Sequence, residues 1–372
     1  MTRLVNLFNY KKTVLSRLER LLDDKSKLAA SSDHHSRRRP RPCGITIHTG
    51  VGCSYICAYC YIYDMGFPAR TRPYPLKPEE MTYALALNPY VIPEKTLAAY
   101  GSVTEPFLRE TATQALSYMR EIYMWLRLPT QVSTKAILTE NISKGISSGD
   151  PRTSVLVTVV TISNRSVEPR APDPMERIKS AGEASRAGLS VSLFMRPIIP
   201  GITDVEAEKI LSLAAESGLK SIVLGSLRVT ERILRNLERY GANVGEIRRR
   251  LTGPIKGSEQ IEIRLSDFKR RIKLIAEDMG FIVFRTACEA NVYTHGRYCA
   301  MCNMGPCNTN VKPEPIEASD IEDLLEYLGV QYASVEVTND SIRVTLKGKQ
   351  EGDKLESILT LATYRRALLK FS

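Results

Sequence analysis

The sequence predicts an α/β protein: parallel strands alternating with helices, then a cysteine-rich segment, then a small α+β appendage. Three observations carry this. Short apolar runs recur from residue 45 to about 226, with amphipathic stretches between them. Strand–helix alternation implies parallel strands joined by right-handed crossovers. Seven of the eight cysteines fall in two tight clusters, 53–60 and 288–307. Beyond Lys312–Pro315 the pattern changes to helix, two strands and helix.

Residues 3–28 place Leu4, Leu7, Phe8, Val14, Leu15, Leu18, Leu21 and Leu22 at helical spacing. Residues 31–42 have no apolar period and read as a basic linker, with His34 and His35 expected in solvent. Six strands are expected at 45–48, 96–101, 131–138, 155–162, 189–197 and 221–226. Helices are expected at 109–126 and 203–217, the latter opening with the capping start Thr203, Asp204 and Glu206. Residues 228–273 read as a helical segment with an exposed basic face. In the appendage, 332–338 and 341–347 form a hairpin around Asn339 and Asp340, and a last helix runs on to Lys370. The expected units are therefore 1–42 (helix and linker), 43–280 (main α/β domain with the basic segment), 281–312 (second cysteine segment) and 313–372 (small α+β domain).

The chain has 372 residues, 43% of them apolar, and a formal net charge of +11. That charge favours an acidic partner, with nucleic acid, RNA or DNA, the first expectation. No apolar run reaches the roughly 20 residues of a membrane-spanning helix, and the first residues carry no signal-peptide core. A cytoplasmic chain without a membrane partner is expected. There, clustered cysteines favour metal or cluster ligation over disulfides. Cys43, outside both clusters, is expected to be structural.

Cys53, Cys57 and Cys60 stand as CxxxCxxC on one short loop. Structural zinc takes four protein ligands, and iron–sulfur clusters are usually held by four thiolates. Three thiols with no fourth ligand nearby suggest a cubane with one open iron. Cys288 ends an apolar, strand-like run at 281–284, and with Cys299, Cys302 and Cys307 it forms a complete four-ligand set. It suits an auxiliary [4Fe–4S] cluster or structural zinc, with His295 able to replace one thiol.

The Cys loop, with Tyr59 before its last cysteine, resembles the radical S-adenosylmethionine (SAM) superfamily. Further marks resemble its spore photoproduct lyase-like subgroup, often called DNA repair photolyase-like, over roughly residues 42–230. They are Thr49–Cys53 with Cys60 and Tyr61, Gly101–Pro106, Ser133–Lys135, Glu168–Pro172 and Pro197–Asp204. The resemblance implies a partial (β/α)6 radical SAM barrel, a [4Fe–4S] cluster on Cys53, Cys57 and Cys60, and SAM chelated at the open iron. It implies reductive cleavage to a 5′-deoxyadenosyl radical and an external electron donor such as ferredoxin or flavodoxin. Ser102, Thr104 and Glu105 then face the SAM ammonium, and Ser133 and Lys135 its carboxylate. Thr158 or Thr161 reaches the ribose or carboxylate, and Arg170 meets SAM or substrate. Tyr59 and Tyr61 match the tyrosines flanking the last cluster cysteine of the lyase. That lyase also uses a hydrogen-donating cysteine near the end of the second strand, and residues 101–104 contain none. The expectation is a radical SAM enzyme modifying or repairing nucleic acid by another reaction. The alternatives are a small-molecule, peptide or protein substrate, or an iron–sulfur protein that binds nucleic acid without catalysis.

Overall fold

The computed structural model describes residues 2–41, 44–348 and 351–372, so Cys43 lies outside the described residues. Seven strands form the main sheet: β1 (Ile45–Ile47), β2 (Ala98–Tyr100), β3 (Thr130–Thr134), β4 (Ser154–Thr158), β5 (Ser190–Met195), β6 (Ser221–Leu224) and β7 (Ile282–Phe284). They lie side by side in chain order and every pair is parallel. This is an α/β partial barrel, with one strand more than the sequence predicts. β7 falls within the apolar run 281–284, which reads as strand-like in the sequence but follows a long basic excursion and so stands apart from the six expected strands.

Strand alternation divides the core. Val132, Val155, Val157, Val191, Leu193, Ile222 and Leu224 join the large cluster formed with the surrounding helices. Their neighbours Leu156, Phe194, Val223 and Phe284 point to the other face and meet Ala290 of the helix Ala287–Thr294. Successive side chains of a strand face opposite sides, so one short strand serves two layers.

The N-terminal segment differs from the expected single helix and open linker. One helix spans Arg3–Leu21 and a second Asp24–Ser32, its N-cap Asp23 accepting the Ser26 N–H. A 3-10 turn follows at His34–Ser36. His35 is fully buried rather than solvated. Asn88 pins this turn by donating to the carbonyls of His35 (2.8 Å) and Arg38 (2.9 Å).

The basic segment also departs from a continuous helix. It comprises the short helices Glu231–Arg239, Val244–Arg249 and Ser266–Asp278 and a small antiparallel pair, Arg228–Val229 with Ile261–Glu262. Much of its charge is paired within the chain. Arg248 meets Glu231, Arg250 meets Glu246 and Asp267, and Arg232 meets Asp64.

The appendage begins with a helix, Ala318–Tyr327, followed by the hairpin of β8 (Tyr332–Val337) and β9 (Ser341–Leu346). The expected last helix stops at Thr363. Tyr364 takes a left-handed conformation (φ 55°), and β10 (Arg366–Phe371) pairs parallel to β9. Its core draws Leu4, Leu7 and Phe8 from the N-terminal helix, whereas Val14 and Leu18 of the same helix enter the barrel core.

Candidate radical SAM site

All groups of interest at the upper end of the barrel leave the C-terminal ends of strands, where α/β barrels place their reactive groups. β1 leads through His48 and Thr49 into the Cys loop. Gly52 (φ +80°) allows the turn, since a Cβ there would lie 2.4 Å from the Pro68 carbonyl oxygen. The loop is tied on all sides. Cys53 N–H donates to the Pro68 carbonyl (3.1 Å) and Ala58 N–H to the Val167 carbonyl (2.9 Å). Tyr63 donates to the Cys53 carbonyl (2.8 Å). Arg232 closes the far side with a two-armed pair to Asp64 (2.6 and 2.7 Å) and a bond to the Cys60 carbonyl (2.5 Å).

Cys53 and Cys57 are buried, Cys60 is half-buried, and none is in a disulfide. Burial pushes all three thiols up, so ligation at this loop must release protons. The donor set is sulfur only. Three thiols on one short loop, with no fourth ligand beside them in the sequence, fit a [4Fe–4S] cluster with one open iron.

Tyr59 and Tyr61 flank Cys60 and diverge. Tyr59 is buried and donates to Glu168, and burial with the Glu168 charge raises its pKa well above the ordinary value. Tyr61 donates to the Ser102 carbonyl (2.5 Å). Glu168 also accepts from Arg177 (2.6 Å), and both are almost fully buried. Burial alone would raise the Glu168 pKa, but Arg177 and Lys135 hold it below the usual carboxylate value.

Lys135 follows β3, with its ammonium 5.5 Å from the Tyr59 ring centre. Burial works against its charge, but Cys57, Glu168, Glu105 and Cys60 outweigh that and raise its pKa. Glu105 is buried and engaged by the chain itself. It accepts from Thr134, from Lys135 N–H (2.8 Å) and from Phe107 N–H (3.2 Å). Burial raises its pKa against those bonds. Thr104 donates to the Gly50 carbonyl (2.8 Å), and Ser133 to the Tyr100 carbonyl (3.3 Å). Gly101 (φ +85°) lies so close to β3 that a Cβ would meet the Ser133 carbonyl oxygen at 1.9 Å.

Thr158 is buried at the end of β4, and its carbonyl accepts from Arg177 (2.6 Å). Thr161 is turned to Glu206 (3.0 and 3.1 Å), and Arg170 is exposed. The structure thus gathers Cys53, Cys57, Cys60, Tyr59, Glu105 and Lys135 closely, and holds Thr161 and Arg170 in other surroundings. Sequence reasoning missed Arg177, Arg232 and Asp64 as partners of the loop. Arg177 sits among the polar residues of an ordinary helix, and Arg232 within a run of basic residues, so neither has a local signal.

The second cysteine set occupies the other end. Cys288 is near the start of the helix Ala287–Thr294, rather than at a strand end. That helix is tied to strand beginnings. Gln131 donates to the Ala287 carbonyl (2.7 Å), and His295 contacts Asp150 (2.7 Å), which also accepts from Thr130 N–H (2.9 Å). Both nitrogens of His295 have partners, the second being the Asn291 carbonyl (2.8 Å). The expected role of His295 as a substitute ligand is therefore withdrawn. Cys299 and Cys307 face each other through a pair of backbone bonds (3.2 and 2.8 Å), and Arg285 approaches the Cys307 sulfur (3.6 Å).

Residues 47–214 match the sequence profile of the Radical SAM superfamily. This stretch is a radical SAM domain. Its fold is that of spore photoproduct lyase. A structure of a mutant of that lyase with bound AdoMet and dinucleoside spore photoproduct covers 70% of this chain and 84% of its own, at 14% identity and a TM-score of 0.56. A cysteine-to-serine mutant of the same lyase covers 67% and 79%, at 14% identity and a TM-score of 0.54. Uncharacterized protein ORF301 of Acidianus two-tailed virus is 24% identical over 175 residues, 42% of this chain and 56% of that protein. The chain thus spans little more than half of that relative. The superfamily uses a [4Fe–4S] cluster and SAM. No helix is long and apolar enough to cross a membrane among the described residues.

Proposed function

We propose that Cys53, Cys57 and Cys60 hold the [4Fe–4S] cluster and that the enzyme acts on a nucleic acid, at a base or sugar. The carrying observation is the buried three-thiol loop at the C-terminal mouth of the barrel, with Lys135 and Tyr59 packed against it. When bound, the cluster and SAM supply a 5′-deoxyadenosyl radical after one electron arrives from an external donor such as ferredoxin or flavodoxin. The chain's own residues do the rest. Lys135 carries a positive charge where the SAM carboxylate would lie. Glu105 fixes the Lys135 backbone and leaves its remaining acceptor capacity for the SAM ammonium. Ser102, Thr104, Ser133 and Thr158 supply the polar rim, and Arg170 stands further out. Glu168 and Arg177 hold Tyr59, and with it the spacing of Cys57 and Cys60.

The net charge supports the nucleic-acid reading, as does a shared fold with a lyase crystallised with a dinucleoside photoproduct. The internal pairing of the basic segment reduces the charge free for phosphates. Residues 101–104 offer no thiol near the end of β2, which favours a reaction other than thymine-dimer reversal. If the radical acts on a duplex, the target nucleotide must be flipped out or unpaired. Cys288, Cys299, Cys302 and Cys307 make a complete four-thiol set for a second [4Fe–4S] cluster, with structural zinc the alternative. Its place beneath the strand starts suits a structural or electron-transfer role rather than substrate ligation.

The test uses anaerobically reconstituted protein with SAM, dithionite and deuterated single-stranded DNA or RNA. Deuterium appearing in 5′-deoxyadenosine is the expected result. 5′-Deoxyadenosine formed without deuterium, unchanged by nucleic acid, would leave radical chemistry intact and point to a small-molecule, peptide or protein substrate. Cys57→Ala should abolish 5′-deoxyadenosine formation while nucleic-acid affinity and its salt dependence persist. Loss of both would make the loop a structural element.

A further inference from the structure

His34, His35 and His48 come together although neither their spacing nor their setting announces a site. Their ring centres are 4.2 Å apart for His34 and His35, and 5.0 Å for each of these with His48. One nitrogen from each lies within 4.8 Å of one from both others. We infer that these three imidazoles form a binding site for a single divalent transition-metal ion of the zinc type, separate from both cysteine sets.

The donor chemistry fits such an ion, for which imidazole is a common ligand. The surroundings are arranged as they are around metal-binding histidines, whose second nitrogen usually donates to a carboxylate. Asp33 Oδ1 lies 2.6 Å from His35 Nδ1. The proton on Nδ1 is donated to Asp33, which leaves the Nε2 lone pair as the acceptor. Nε2 receives a long bond from His48 N–H, at 3.3 Å, and the Thr46 carbonyl also lies near the ring. Tyr74 donates to the other oxygen of Asp33 (2.6 Å) and approaches His34 Nδ1 (3.3 Å). Asp33 Oδ1 also accepts the His35 N–H (2.9 Å), so the carboxylate is fixed from three sides. Asn88, itself fully buried, fixes the backbone of the turn. Arg38, the nearest opposing cation, turns its guanidinium to the Thr46 carbonyl.

Zinc–nitrogen bonds of 2.0–2.1 Å in a tetrahedron put ligand nitrogens about 3.4 Å apart. The rings must therefore close by about an ångström. His34 and His48 are half-buried, whereas His35 is fully buried and held by Asp33. Three histidines leave the fourth position for water. The site links the turn after the N-terminal helices to the end of β1, five residues before Cys53. Its ion would pin the N-terminal segment against the root of the Cys loop.

The test uses full-length protein with its iron and sulfide reconstituted, stripped of loosely bound metal, then titrated with Zn2+. Zinc per chain is read by mass spectrometry, its ligand shell by X-ray absorption, and its effect on folding by thermal unfolding. One zinc with a nitrogen and oxygen shell is expected, and a higher Tm for the wild type. His34→Ala and His48→Asn should each weaken binding at least tenfold and lose the Tm gain, while Cys302→Ser keeps both. His34 is a partly exposed ring, so circular dichroism of His34→Ala should match the wild type. Unchanged zinc uptake in both histidine variants, a sulfur-containing shell, or no uptake by the wild type at micromolar Zn2+ would each overturn the assignment.

Discussion

Glu168→Gln isolates the buried charge that positions Tyr59. Arg177 and Glu168 have side-chain exposures of 1% and 2%, and their contact is 2.6 Å. Removing one partner of such a pair leaves an uncompensated buried charge, at a cost of about 3–5 kcal/mol. Glutamine keeps an acceptor for Tyr59, so the low end is expected, about 3 kcal/mol. That is a large share of the roughly 5–15 kcal/mol by which a domain is stable. The double variant Glu168→Gln with Arg177→Met removes both charges. It leaves the Thr158 carbonyl without its donor, worth about 1 kcal/mol, and should recover most of the loss. Urea unfolding under argon, followed by circular dichroism, measures all three differences. The acid limb adds a second signature. The Glu168 pKa is depressed in the folded chain. Its contribution is therefore complete above the unfolded value of about 4.3 and is lost as pH falls through the folded value. Below about pH 4.3 the wild type should lose stability more steeply than Glu168→Gln. A Glu168→Gln variant within about 0.5 kcal/mol of wild type, or a double variant no better than the single one, would refute the reasoning.

Gly101→Ala should cost more than about 2 kcal/mol, because its Cβ would strike the Ser133 carbonyl oxygen at 1.9 Å in a left-handed conformation. Thermal unfolding checks this, and a neutral result would mean that β2 and β3 are set further apart. Arg232→Ala removes the donors to Asp64 and the Cys60 carbonyl. Charge-assisted bonds of this kind are worth about 1.5–3 kcal/mol each. The variant should lose iron faster than wild type on exposure to air, and equal rates of loss, followed by absorbance, would remove Arg232 from the support of the loop.

The Cys loop was legible because its chemistry is local: three thiols and three tyrosines within nine residues. Strand ends carrying Gly101–Glu105 and Ser133–Lys135 were legible because strand–helix alternation places them at one end of a sheet. The run that forms β7 was legible as strand-like, but its place in the main sheet was hidden by the long basic excursion before it. β10 was hidden because Ala367 and Leu369 follow a helix without a glycine or proline, and the reversal falls on Tyr364. The links Glu168–Arg177, Asp64–Arg232 and His34–His35–His48 join separate segments, and a one-dimensional reading has no period for them. His35 shows the cost most clearly, since a polar neighbourhood suggested solvent and tertiary packing buried it completely.

The N-terminal helix has a consequence for how the chain comes apart. Leu4, Leu7 and Phe8 are enclosed by the appendage, and Val14 and Leu18 by the barrel, on one continuous rod of hydrogen bonds. Neither module can melt without stripping cover from the other's interior. The opening residues and the final strand, the most distant parts of the sequence, therefore share a fate: the helix makes a single cooperative body of two modules that would otherwise fray at separate temperatures.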